Sequence, residues 1–150
     1  MWWIPLLSFH QKSNNQMEPV ALHYEIPFFD VDAYRVVWHG NYPKYLEMSR
    51  CALLEAIGCP YHVMEEQGFF FPIVDLQMKY IKPLLFKQQI IIEATLVDWE
   101  HRLKIKYLIK DATTGEIYTK ATTSQFAVSM PDHITPVSYT HLTLPTIYSV

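Results

Sequence analysis

Cysteine is scarce in this chain. It has two in 150 residues, Cys51 and Cys59. Two thiols cannot build a four-thiolate zinc site, and their spacing is not that of a CxxC redox pair. Both fall in or near a predicted helix, where free cysteines pack as small apolar groups, which fits a reducing, cytoplasmic compartment. An excess of one charge is also missing. Twelve Lys and Arg against fifteen Asp and Glu leave a formal net charge of −3, so there is no general pull on nucleic acid. No long apolar run is present either. The largely apolar opening, Met1 to Phe9, is too short to span a bilayer. It carries no Lys or Arg and so lacks the basic start of a secretory signal. Internal repeats, low-complexity runs and interdomain linkers are absent too, so one domain is expected.

What the chain has is apolar and aromatic mass. Half its residues are apolar and 15% are aromatic, enough to bury a real core. The domain is expected over residues 21–131. Met17 stands directly before the first strand-like region as an alternative start, and residues 1–20 read as an extension outside the fold. After Pro131 the alternation stops. Val137 to Val150 resembles a translated sequencing-adapter fragment, so residues 132–150, His141 included, are expected to be a non-native tail.

Hydrophobic periodicity places the elements between these ends. Ala21 to Phe28 reads as a strand. Asn41-Tyr42-Pro43 reads as a helix start, with Asn as cap and Pro in the first turn. Leu46, Leu53, Leu54 and Ile57 give that helix an apolar stripe to about Ile57. Gly58 ends it and Pro60 lies just beyond. Tyr61 to Gln67 suits a short second helix closed by Gly68. From Phe69 the period changes to two. Val74, Leu76, Met78 and Tyr80 predict a half-buried strand stopping near Pro83. Ile90 to Val97 predicts a strand inside the sheet, and Leu103, Ile105, Tyr107 and Ile109 predict the next. A hairpin loop at Asp111 to Gly115 precedes a last strand over Glu116 to Val128. Short connections imply a largely antiparallel sheet, and the one long helix must bury its stripe against it.

The chemistry concentrates between the first strand and the long helix, in Phe29-Asp30-Val31-Asp32-Ala33-Tyr34-Arg35-Val36-Val37-Trp38-His39-Gly40-Asn41-Tyr42. A carboxylate facing a helix N-terminus can attack, or activate water toward, an activated carbonyl, and backbone N–H groups there can hold the developing oxyanion. Asp32 fits that role, and also fits a turn Asp bonding nearby backbone. Asp30 reads as a loop anchor. Gly40 allows close approach, and Asn41 fixes the helix end by capping it. Tyr42 suits core packing or a pocket wall, and Trp38 suits a core or interface. Glu47 and Arg50 are spaced to pair on the helix. Phe69-Phe70-Phe71 suits an acyl pocket or the core. His23, Asp30, Asp32 and His39 have no recognisable metal spacing, so neither a metal nor any other cofactor is expected.

This order of elements and this motif together resemble the hotdog fold, an α+β architecture in which a curved antiparallel sheet of about five strands wraps one long helix. More narrowly, the chain resembles the 4-hydroxybenzoyl-CoA thioesterase-like family over about residues 21–130. The matching pattern is Asp32, then Val36-Val37-Trp38-His39-Gly40-Asn41-Tyr42, then Glu47 and Arg50. The resemblance implies hydrolysis of acyl-CoA, or of acyl carrier protein thioesters. Asp32 would be nucleophile or general base, and the backbone at His39 would polarise the carbonyl. Gly40, Asn41, Tyr42 and Glu47 would be substrate-binding. It also implies a homodimer or homotetramer with the site at a subunit seam. The rivals are a hotdog dehydratase or hydratase and a non-catalytic acyl-binding module. Tyr34-Arg35 departs from the family, where Gly or another small residue is common in this loop.

Overall fold

The computed structural model describes residues 17–100 and 102–129. The chain forms β1 (Val20–Glu25), α1 (Tyr42–Ala56), α2 (Tyr61–Glu66), β2 (Phe69–Phe70), β3 (Ile73–Tyr80), β4 (Gln89–Asp98), β5 (Leu103–Asp111), β6 (Ile117–Gln125) and β7 (Val128–Ser129). Five strands make one antiparallel sheet in the order β1-β4-β5-β6-β3. A second, two-stranded sheet pairs Phe69-Phe70 with Val128-Ser129.

Period-two alternation decides which face of the sheet is dry. Ile90, Ile92, Ala94 and Leu96 of β4 and Leu103, Ile105, Tyr107 and Ile109 of β5 are all buried. Tyr45, Leu46, Leu53 and Leu54 of α1 meet that core. The helix packs against β1 and β4 and stops at Ala56, two residues before Gly58, which adopts φ 78°. In that conformation glycine carries no Cβ penalty. At the β5–β6 hairpin the Asp111 carboxylate accepts backbone N–H bonds from Thr113 and Thr114. These bonds, that from Thr114 foremost, hold it below the usual carboxylate range.

Four expectations change. The fold begins before residue 21: β1 starts at Val20, which pairs with Ala94, and Met17 packs in the core. Residues 1–16 and the tail 132–150 lie outside the described residues. β3 is not half-buried. It forms the edge beyond β6, and Val74, Leu76 and Tyr80 are exposed there, because α1 packs over β1 and β4 and does not reach this end of the sheet. The last strand breaks after Gln125, and its end joins β2 instead. Asn41 does not cap α1. A 3-10 turn over His39–Asn41 leads into the helix, so Asn41 already has helical angles (φ −86°, ψ −14°) and its side chain makes no cap bond.

Candidate active site

The motif loop is a hairpin closed by a bridge between Val31 and Val37. Asp32 starts its turn. Its N–H donates to the Val36 carbonyl at 2.9 Å and its carbonyl accepts from the Arg35 N–H at 2.9 Å. Its Oδ1 accepts the Tyr34 N–H at 2.8 Å. Arg35 closes the turn with φ 67°, the left-handed position that ends a three-residue hairpin loop and that favours glycine. Arginine here accepts the strain that glycine would avoid.

Asp30 and Asp32 are two residues apart and have opposite surroundings. Asp30 is 2% exposed. Its carboxylate accepts the Tyr45 hydroxyl at 2.6 Å, Lys44 Nζ at 2.7 Å and the Tyr24 hydroxyl at 3.5 Å. Burial, and then the bond to Asp30, push the Tyr45 phenol above its ordinary range. The Asp30 carbonyl accepts the Trp38 N–H at 3.0 Å and Asn41 Nδ2 at 2.9 Å. Asn41 thus ties the helix start to the loop through Asp30, not through a cap bond, and Asp30 is the anchor its position suggested.

Asp32 instead lines a cleft of about 260 Å³ together with Val36, Val37, His39, Tyr42, Tyr80, Ile81, Lys82 and Pro83. The structure therefore brings Asp32, His39 and Tyr42 together. Tyr42 is buried, and its ring meets Tyr80 edge-on at 4.8 Å. Tyr80 to Pro83, at the end of β3 and beyond it, form a wall that carries no local sequence signal, because they arrive from a distant segment. The first N–H groups of the 3-10 turn, those of His39 and Gly40, are the ones its own carbonyls cannot satisfy. The Asn41 N–H is taken by the Trp38 carbonyl at 2.9 Å, and the Tyr42 N–H by that of His39.

The remaining motif residues lie outside this cleft. A Cβ at Gly40 would fall 2.2 Å from the Trp38 ring, so glycine admits the indole, which lies on the surface and not in the core. The exposed Glu47 pairs with Arg50 one turn on along α1. The buried Arg50 guanidinium also donates Nε to the Tyr61 hydroxyl at 2.6 Å and a terminal N–H to the Tyr107 hydroxyl at 3.4 Å. Phe71 packs in the core and Phe69 against it. Burial pushes the Cys59 thiol up to about 12. Among the described residues no cluster of three or more His, Cys, Asp or Glu could hold a metal ion.

An antiparallel sheet over one long helix, with a cleft at the helix start, is the hotdog architecture. The DHNA-CoA thioesterase of Staphylococcus aureus has this fold: its structure matches with a TM-score of 0.76 at 24% identity, over 88% of this chain and 85% of that one. The hypothetical protein TT1821 of Thermus thermophilus matches with a TM-score of 0.67 at 27% identity, over 73% and 84%. The candidate acyl-CoA thioesterase YneP of Bacillus subtilis (strain 168) is 30% identical over 105 residues, 69% of this chain and 75% of that protein. The model of the thioesterase-like superfamily matches residues 26–137, and the chain belongs to that superfamily.

Proposed function

We propose that this chain is an acyl-CoA thioesterase that uses Asp32 as its acid–base or nucleophilic group and the His39–Gly40 backbone as its oxyanion cradle. The observation that carries the reading is that Asp32 and His39 share one cleft at the turn that opens α1. As general base, Asp32 takes a proton from water while the water oxygen bonds to the thioester carbon. The carbonyl electrons move onto the oxygen, which the two unsatisfied N–H groups receive. Collapse breaks the C–S bond and the thiolate leaves, taking up the proton held by Asp32, with the His39 imidazole at hand to orient the leaving group. As nucleophile, the same carboxylate bonds to the thioester carbon and expels the thiolate as the C–S bond breaks; water then opens the resulting mixed anhydride, releasing the acid, restoring the carboxylate and supplying the proton for the thiol. Val36, Tyr42, Tyr80, Ile81 and Pro83 offer the acyl group an apolar wall. Asn41 contributes by holding the loop to the helix.

Thiol release from a panel of short, long and aromatic acyl-CoAs tests the reading, with acyl carrier protein thioesters as a further arm. Asp32→Asn should lower turnover of the best substrate at least about 10²-fold, the scale for a positioned acid–base group. Undiminished turnover would exclude this mechanism, and absence of any hydrolysis would favour a binding module.

We further propose that the working unit is a homodimer or homotetramer in the cytoplasm. α1 covers β1 and β4 and leaves Val74, Leu76 and Tyr80 exposed on the β3 edge. An unpaired edge with apolar side chains invites a partner, and Tyr80 also belongs to the cleft. Both described cysteines are free, in keeping with a reducing compartment. No helix among the described residues is long and apolar enough to cross a membrane. Sedimentation at micromolar concentration should show a dimer or larger, and Leu76→Asp should shift it toward monomer with loss of activity. An active monomer would contradict a shared site.

A further inference from the structure

Among the described lysines, two groups of three stand out. Lys44, Lys82 and Lys110 each face a carboxylate, those of Asp30, Glu116 and Glu93. Lys79, Lys106 and Lys120 form no ion pair among the described residues, yet they converge. Lys79 and Lys120 are direct cross-strand partners. Lys120 opposes Leu108 while Lys106 opposes the next outward-facing residue of β6, Thr122, so Lys106 lies diagonal to Lys120. Alternation puts all three on the sheet face away from α1. They rim a shallow depression of about 260 Å³ that Gln77 and Thr122 also line. Two carboxylates are near, and both have partners: Asp75 accepts the Gln77 amide at 3.4 Å and Glu93 is held by Lys110 at 3.0 Å.

Like charges placed directly opposite on neighbouring strands oppose folding. This sheet keeps such a pair, adds a third cation and leaves all three without a protein anion, in a chain of net charge −3. A bound polyanion reverses the sign of that interaction. Lys79, Lys106 and Lys120 line one depression across three neighbouring strands, which fits a compact phosphate cluster better than the extended backbone of a nucleic acid. We infer that Lys79, Lys106 and Lys120 form a binding site for the phosphate groups of a small soluble ligand, on the sheet face opposite the Asp32 cleft. The inference rests on these lysines alone and stands apart from the hydrolytic role of Asp32.

Calorimetric titration of the full chain with inorganic pyrophosphate at low salt tests it. The wild type should bind, and the triple variant Lys79→Gln/Lys106→Gln/Lys120→Gln should bind at least about tenfold more weakly, because three charges close to the anion are gone. Lys110→Gln, on the same face but committed to Glu93, should bind as the wild type does. The triple variant should melt at the same temperature or higher, since a repulsion is removed, so loss of binding is not loss of fold. KM for acyl-CoA and for the phosphate-free acyl-N-acetylcysteamine then separates two sources of the ligand. A rise for acyl-CoA alone assigns the site to the nucleotide of the substrate, and no rise assigns it to a separate phosphorylated metabolite. The site is overturned if the wild type does not bind pyrophosphate, if the triple variant binds it equally well, or if an oligonucleotide binds where pyrophosphate does not.

Discussion

The surroundings of Asp30 and Asp32 differ as a lock differs from a working edge. The Asp30 carboxylate is buried and collects donors from β1 and from successive residues of α1, while its carbonyl binds the loop to the helix start. Asp32 spends one oxygen on a backbone N–H of its own turn and faces the cleft. A carboxylate saturated by fixed donors has little left to give a substrate. One held by a single local bond is oriented and still able to accept a proton. The contrast matches the proposed division of labour: Asp30 anchors the loop to the helix start, and Asp32 is left free for the chemistry proposed above.

That division can be broken by exchanging the two losses. Asp30→Ala removes the acceptor for a buried hydroxyl and for an ammonium, and should cost about 3 kcal/mol of unfolding free energy. Most of that comes from leaving the Tyr45 hydroxyl unpaired. The Lys44 pair adds little because Lys44 is well exposed. A denaturant melt checks the stability, and thiol release should fall with it as the loop detaches from α1. Asp32→Asn should leave stability within about 1 kcal/mol of wild type while turnover falls as argued for the mechanism. Equal destabilisation by the two substitutions would erase the distinction between lock and working edge.

Parts of this arrangement were legible in the chain and parts were not. The alternation of Leu103, Ile105, Tyr107 and Ile109 reads as a strand because one face is dry along its whole length. The end of α1 reads from Gly58 because the left-handed angle there is a local property. The Asp32 to His39 spacing marks the cleft because one short hairpin carries both. Tyr80 to Pro83 give no such sign, since they reach the cleft only after the chain has crossed to the far edge of the sheet. The exposure of β3 was hidden because its alternation is the same whether the helix covers that edge or a second copy does. The cap expected at Asn41 failed for a local reason: a 3-10 turn enters the helix one step early and turns the side chain back to Asp30. The burial of Asp30 depends on partners 6 to 15 residues away, which no dipeptide pattern reveals.

Arg35 sharpens the comparison by the smallest effect. Its φ of 67° costs a non-glycine residue about 1 kcal/mol, and this strain lies in the turn whose carbonyl and N–H frame Asp32. No corresponding strain is found at Asp30, which sits in a 3-10 turn between extended residues. Arg35→Gly should relieve the turn and raise stability by up to about 1 kcal/mol, less the entropy that glycine gives the unfolded chain. Arg35→Val adds a β-branched side chain where one is least tolerated, and should lie about 1–2 kcal/mol below the glycine variant. Melting both variants side by side reads this difference directly. A valine variant as stable as the glycine variant would mean that the turn relaxes freely, and that Asp32 is oriented by something other than this hairpin.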